Sequence, residues 1–333
     1  MKDVYILSIE SSCDETSIAI IKNGNECIYM NVSTQMDTHA LYGGVVPEIA
    51  SRMHTEAITL VLEDVLTKSN MKIEDMDAIA VTYAPGLMGS LLVGVEFAKT
   101  LSFLYDIPLI AVNHMAGHIY ANNLTSKLEY PLIALVVSGG HTNIVLMKDD
   151  YEFEVLGKTL DDAIGEAFDK VARVLGLKYP GGPNVEKLAL DGKNTYKLGN
   201  VHVDNYDLSY SGLKSSVINL VHNETQRGNE IRKSDLACTF QEIAIKQLVD
   251  KTKKALQDYD IKNLIVAGGV SANKYLRSEL TKLCNELNVN LSIPEFKYCT
   301  DNAAMIGSAA YPLFKAKKFA DYSLNASSSD NLF

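Results

Sequence analysis

Apolar residues recur along this chain with two different spacings, and the order in which the spacings appear is used twice. Residues 4–9 (Val-Tyr-Ile-Leu-Ser-Ile) form a short, nearly unbroken apolar run, the pattern of a buried strand. Similar runs at 17–21 and 26–32 flank Asn23-Gly24, a strong hairpin signal, so the three predict a strand meander. From 48 to 66 the spacing changes. Ile49, Met53, Ala57, Leu60, Val61 and Val65 fall at helical intervals and predict an amphipathic helix. A strand at 77–82, a glycine-rich turn at 84–90, a helix over 90–104 and a strand at 107–112 follow. The order then restarts. Strands at 132–137, 143–147 and 151–157 repeat the meander. A strand at 262–267, a glycine-rich turn at 268–273, a helix over 274–287 and a strand at 289–293 repeat the rest. Residues 159–259 enlarge the second copy and read as mostly helical.

This alternation predicts an α/β fold built from two related lobes, 1–129 and 130–322, with the helical insertion inside the second. The Ser- and Asn-rich residues 323–333 are expected to form a flexible tail. Composition changes little in this picture. The net charge of −10 argues against a chain that coats nucleic acid indiscriminately, so any such contact needs a local basic patch. Lys170, Arg173, Lys178, Lys187, Lys193, Lys197 and Lys214 cluster in the insertion and are the candidates. Cys13, Cys27, Cys238, Cys284 and Cys299 form no C-x-x-C pair and suggest free thiols in a reducing compartment. The opening apolar run is cut by Glu10 and is too short for a signal peptide. No stretch approaches the ~18 apolar residues that would span a membrane. A soluble cytoplasmic protein is expected.

Candidate chemistry lies in the turns. His114 and His118 follow the 107–112 strand. If a helix begins there, both imidazoles project from one face and supply two ligands of a metal site. The general base of an H-E-x-x-H peptidase is missing, because position 115 is Met. The turns 86–90, 138–142 and 268–273 are rich in glycine and hydroxyls and suit anions at helix N-termini. Neither G-x-G-x-x-G nor the P-loop pattern occurs, so a nucleotide would sit in an actin-like cleft between related halves. The turn 10–16 is rich in acids, with Asp14 and Glu15. Asp161 and Asp162 favour the start of the helix that follows them, residues 179–183 read as a rigid turn, and Asp301 suits a helix cap.

Together these segments resemble the TsaD family of tRNA N6-adenosine threonylcarbamoyltransferases. The resemblance runs from Ser8-Ile9-Glu10-Ser11-Ser12-Cys13-Asp14-Glu15-Thr16 to Cys299-Thr300-Asp301-Asn302-Ala303. It passes through Tyr42-Gly43-Gly44-Val45-Val46-Pro47-Glu48, Val137-Ser138-Gly139-Gly140-His141-Thr142, Gly165-Glu166-Ala167-Phe168-Asp169-Lys170, Pro180-Gly181-Gly182-Pro183 and Ala267-Gly268-Gly269-Val270-Ser271-Ala272-Asn273. It implies an actin-like (ASKHA) duplicated fold. It also implies transfer of a threonylcarbamoyl group from threonylcarbamoyl-AMP to N6 of adenosine 37 in tRNAs that read ANN codons. Carried over by position, His114, His118 and Asp301 would bind one divalent metal, Fe(2+) ahead of Zn(2+), and tie the two lobes together. Val137, Ser138, Gly139, Gly140, His141, Asp169, Gly182 and Asn273 would hold the adenylate. Glu186 stands where several relatives carry Asp and is a further substrate contact. Asp14 or Glu15 would handle the proton from N6. The implied partners are tRNA, a TsaB-like paralogue docking on the 48–66 helix, and a TsaE-like ATPase. Two rival readings remain: an ATPase or kinase of the same fold, and a non-catalytic scaffold subunit. The scaffold should lack the histidine pair, and the kinase would have no use for it.

Overall fold

The computed structural model describes residues 2–199, 203–329 and 332. The chain divides into two compact units, Met1–Leu128 with Pro294–Phe333, and Glu129–Ile293.

The first unit opens with the expected meander, β1 (Tyr5–Glu10), β2 (Glu15–Lys22) and β3 (Glu26–Thr34). The helices α1 (Met36–Ala40) and α2 (Pro47–Ser69) lead to β4 (Ala78–Ala84), α3 (Met88–Tyr105), β5 (Leu109–Asn113) and α4 (His114–Tyr120). The sheet order is β3-β2-β1-β4-β5, with β1–β2 and β2–β3 antiparallel and β1–β4 and β4–β5 parallel. The second unit has β6 (Leu132–Val137), β7 (Thr142–Met147) and β8 (Phe153–Lys158). After them come α5 (Ile164–Val174), α6 (Gly181–Ala189), α7 (Ser211–Gln226) and α8 (Lys233–Asp258), then β9 (Asn263–Ala267), α9 (Lys274–Leu287) and β10 (Asn290–Ser292). Its sheet reads β8-β7-β6-β9-β10 with the same pattern of antiparallel and parallel pairs. The duplication read from spacing is therefore a duplication of topology, strand for strand. In both meanders the register slips once on the second-to-third strand pairing.

The central strands are apolar on both faces because both faces are covered. Ile6, Leu7 and Ile9 are fully buried, as is every residue of β6. Each Ile, Leu or Val among them contributes roughly 1.5–3 kcal/mol by leaving water. In α2 the inward face is Ala50, His54, Ile58, Val61, Leu62 and Val65, packed towards α3 and β2. The apolar stripe read from spacing is thus split: Val61 and Val65 belong to the core, while Leu60 is exposed.

The C-terminal end differs from the division expected from chain order. The final helix α10 (Ala303–Lys315) packs on β1 and β2 of the first unit, and Ala303 to Ala310 are all buried. Ser8 Oγ donates to Ala303 O at 2.7 Å, and Ala303 N donates to Ser17 Oγ at 2.9 Å. A helix apolar all round needs cover on every side, and the open face of the first sheet supplies it. Described residues of the tail expected to be flexible also pack, while 330, 331 and 333 lie outside the described residues. Leu324 and Ala326 lie against the first core, and Ser327 N donates to Tyr83 O at 2.9 Å.

Candidate functional site

Three parallel strands, β1, β4 and β5, end on one edge of the first sheet, and the candidate site is built there. The helix α4 begins directly at His114. Its cap is Asn113, whose Oδ1 accepts Met115 N at 2.8 Å and Ala116 N at 3.3 Å. His118 follows one turn later, and the two imidazoles stand edge to face with centroids 4.6 Å apart. Gly117 lets α4 approach α10 closely, since a Cβ there would stand 2.7 Å from Ile306 Cδ1.

The start of α10 brings the third group. Asp301 was expected to suit a helix cap, but Asn302 takes that position. Asn302 Oδ1 accepts Met305 N at 3.0 Å, and its Nδ2 donates to Thr300 O and Tyr298 O at 2.7 and 3.3 Å. Asp301 is left one residue outside the helix, free to face the histidines. Its Oδ1 is 3.2 Å from His118 Nε2 and 3.5 Å from His114 Nε2. All three candidate ligand atoms lie within 4.8 Å of one another. All three residues belong to the first unit, so the trio joins α4 to the C-terminal segment of that unit and ties no lobe to another.

Electrostatics fit a cation at this point. Burial alone would push the Asp301 carboxyl up, but the charge of His114 and the hydrogen bond to His118 hold it down to about 2. Glu10, fully buried at the end of β1, is likewise pushed up by burial, and His114 more than offsets this. An ionised Glu10 only accepts hydrogen bonds, so His114 Nδ1, 3.2 Å from its Oε2, carries the hydrogen. In neutral His114 the Nε2 lone pair then faces the Asp301 carboxylate. A hydrogen on Nε2 in the charged ring, or a cation bound at this point, would satisfy both groups. Two imidazole nitrogens and one carboxylate oxygen suit iron, zinc or manganese. The trio is a candidate single metal site.

The acidic turn between β1 and β2 is pinned from several sides. Ser12 N donates to Glu10 Oε1 at 2.6 Å, Leu87 N to Ser12 O at 2.8 Å, and Gln35 N to Asp14 O at 3.0 Å. Gly86 permits this approach, because a Cβ there would sit 2.6 Å from Ser12 O. From α2, fully buried His54 meets Cys13 O with Nε2 at 2.9 Å and Thr16 Oγ1 with Nδ1 at 2.7 Å. Burial lowers the His54 pKa, so the ring is neutral, donates through Nε2 and accepts through Nδ1. Asp14 is buried. The Glu15 carboxyl is pushed up to about 10, first by burial and then by the charges of Asp301 and Asp14.

The other predicted residues lie in the second unit, around the ends of β6 and β9. Val137 ends β6, and Ser138 to His141 form the turn to β7. Ser138 N donates to His141 O at 2.8 Å, and His141 N to Ser138 Oγ at 3.0 Å. Nothing lies within 4 Å of a Cβ built at Gly139, Gly140 or Gly182. The turn before α9 reaches the same place, with Gly268 at a φ of +89° against Val137 O. Asp169 Oδ1 accepts Gly181 N at 2.7 Å, Glu186 Oε1 accepts Lys274 N at 2.6 Å, and Asn273 Oδ1 accepts Leu276 N at 2.8 Å. These three side chains hold the N-termini of α6 and α9. Residues 179–183, expected as a rigid turn, instead start α6 at Gly181. Asp161 and Asp162, expected to start their own helix, serve elsewhere. Asp161 accepts Tyr210 N and Ser211 N at the start of α7, and Asp162 binds Lys170 and Lys214. Two members of the expected basic cluster are thereby neutralised inside the unit. The cysteines are free thiols, and no helix among the described residues is long and apolar enough to cross a membrane.

Glu10, Ser12, His54 and Asn302 went unassigned in the sequence. For Glu10 a signal existed: a carboxylate that interrupts an apolar strand run is expensive to bury unless it holds something.

Comparison with known proteins identifies the family. The family model for TsaD, tRNA N6-adenosine threonylcarbamoyltransferase, matches residues 26–308. A protein of that name from Staphylococcus carnosus is 53% identical over 330 residues, covering 98% of this chain and 96% of its own length. Its counterpart in Staphylococcus saprophyticus is 54% identical over 322 residues, covering 96% and 94%. Among solved structures, full-length HypF in a phosphate- and nucleotide-bound form aligns with a TM-score of 0.63 at 15% identity, covering 94% of this chain and 47% of HypF. The (R)-2-hydroxyglutaryl-CoA dehydratase component A of Acidaminococcus fermentans aligns with a TM-score of 0.52 at 15% identity, covering 93% and 98%. These structural likenesses carry the fold alone, the duplicated actin-like α/β fold. With a family model matched over most of its length and relatives more than half identical along nearly all of it, the chain belongs to the TsaD family of tRNA N6-adenosine threonylcarbamoyltransferases.

Proposed function

We propose that this chain transfers the threonylcarbamoyl group of threonylcarbamoyl-AMP to N6 of adenosine 37 in tRNAs that read ANN codons, in the cytoplasm. The single observation that carries this is the His114–His118–Asp301 trio in a chain of this family. His114, His118 and Asp301 would hold one divalent cation, with Fe(2+) favoured over Zn(2+). When bound, such an ion supplies Lewis acidity towards an oxygen of the acyl donor. The remaining work falls to the chain. The donor is already activated, so orientation and charge stabilisation as AMP leaves are the main requirements. In this reading the N-termini of α6 and α9 offer backbone N–H groups to the adenylate. Asp169, Glu186 and Asn273 keep those helix starts in place, and the open glycines 139, 140 and 182 admit close approach. Asp14 or Glu15, in the acidic turn between β1 and β2, would receive the proton from N6.

A TsaB-like paralogue and a TsaE-like ATPase complete the proposed assembly. Exposed Leu60 on α2, with exposed Met88 and Leu92 on the adjoining α3, supports docking of the paralogue on that pair. The test is direct. The protein is mixed with its partners, threonylcarbamoyl-AMP and unmodified tRNA, and the nucleosides are read by mass spectrometry. Threonylcarbamoyl adenosine is expected from the wild type and absent with Asp301→Ala. ATP hydrolysis without any modified nucleoside would instead favour the kinase reading.

A further inference from the structure

The two histidines of the candidate metal centre are supported differently. Among the described residues the buried Nδ1 of His118 has no hydrogen-bond partner. His114 Nδ1 lies 3.2 Å from Glu10 Oε2 and 3.1 Å from Ser12 Oγ. Glu10 is itself fully buried, and His114 is its ion-pair partner, with no lysine or arginine paired to it among the described residues. Its other contacts are donors: Ser12 N at 2.6 Å to Oε1, and Thr82 Oγ1 to Oε2. An isolated carboxylate in this place costs several kcal/mol to bury. A strand end needs no such group for folding.

We infer that Glu10 is a positioning residue for the metal centre: it holds the hydrogen of His114 on Nδ1 and so aims the Nε2 lone pair at the metal. This rests on the metal-binding reading proposed above. Glu10 reaches the Nδ1 side of the ring, whereas Asp301 faces Nε2, so Glu10 acts through His114 and is not itself a ligand. Carboxylates that receive the free N–H of a metal-binding histidine fix its tautomer and raise its basicity. Replacing Glu10 by Gln shows why the tautomer matters. Gln has one acceptor oxygen, and the fixed donor Ser12 N claims it. The amide NH2 then turns to His114 and opposes a hydrogen on Nδ1, leaving only Ser12 Oγ to hold it there and favouring the tautomer with its hydrogen on Nε2, where the metal should bind.

The test uses Co(2+) as the probe. Full-length protein is freed of metal with a chelator and titrated with Co(2+), followed by calorimetry and by the visible d–d bands. Glu10→Gln is expected to weaken Co(2+) binding by about 10–100-fold and to shift the bands. The same loss is expected in a His118→Ala background, and no further loss in a His114→Ala background. That last result separates action through His114 from a general loss of negative charge or of fold. If Glu10→Gln does not fold, Glu10→Asp keeps the charge but shortens the reach. It is then expected to lose affinity in the wild-type background and none beyond His114→Ala. Wild-type affinity and bands in the folded variant overturn the inference, as does a loss that persists without His114. A wild type that binds no Co(2+) overturns instead the metal reading beneath it.

Discussion

Replacing Asn302 should damage stability and metal binding together. Asn302 is 1% exposed. It caps α10 through Met305 N and donates to Tyr298 O and Thr300 O. Losing a cap costs about 1 kcal/mol. The buried Tyr298 carbonyl left without a donor costs roughly 1–3 kcal/mol, while water can replace the donor at exposed Thr300. Asn302→Ala should therefore destabilise the metal-free protein by about 2–4 kcal/mol. Asn302→Ser restores the cap oxygen but not the donor, and should recover about 1 kcal/mol of this. Because Asp301 is placed by this cap, Co(2+) affinity should fall in the same order. Urea unfolding in chelator, followed by Co(2+) titration under folding conditions, reads both. A loss under about 0.5 kcal/mol, or Asn302→Ser as poor as Asn302→Ala, would refute the reasoning.

Three further outcomes are expected. The Glu15 pKa is raised from 4.5 to about 10, so the folded metal-free protein keeps a proton that the unfolded chain releases. Stability should then fall as pH rises through that window, by at most about 1.4 kcal/mol per pH unit. Glu15→Gln should remove this slope, and equal slopes between pH 5 and 8 would sink the assignment. His54→Ala removes one buried and one part-buried hydrogen bond to the acidic turn and should cost about 2–4 kcal/mol in urea unfolding; an unchanged midpoint would mean the turn is held by its other bonds alone. Gly117→Val places side-chain atoms into Ile306 and should destabilise by about 1–3 kcal/mol. It should also separate His118 from Asp301 and weaken Co(2+) binding, and wild-type affinity in a folded variant would contradict the close approach of α4 and α10.

The sequence made much of this legible because spacing reports burial. Strands covered on both faces read as apolar runs, and the repeat of meander and crossover in the sequence is the duplication of the fold. The histidine pair was legible for the same reason: residues four apart share a helix face. Residues whose meaning depends on distant partners are not legible from local pattern, and Asp301 joins the histidines in the sequence only through the family resemblance. Asp301 pairs with α4 only because α10 returns to the first sheet, and nothing in the local pattern around Ala303 says which sheet it will cover. Asp161 and Asp162 suited the helix beside them, yet residues about 50 positions later claim them. The stripe on α2 was half right, since a helix packed on both α3 and a sheet buries more than one line of residues.

The central claim is that the His114–His118–Asp301 trio binds the cation that threonylcarbamoyl transfer needs. The direct measurement is single-turnover transfer of labelled threonine from threonylcarbamoyl-AMP to tRNA, with the protein as purified, after chelation, and after metal is restored. Transfer should be lost on chelation and regained with Fe(2+) or Zn(2+) in the wild type, and should not return in His118→Ala. Full transfer by the chelated protein, or by His118→Ala, would contradict the account.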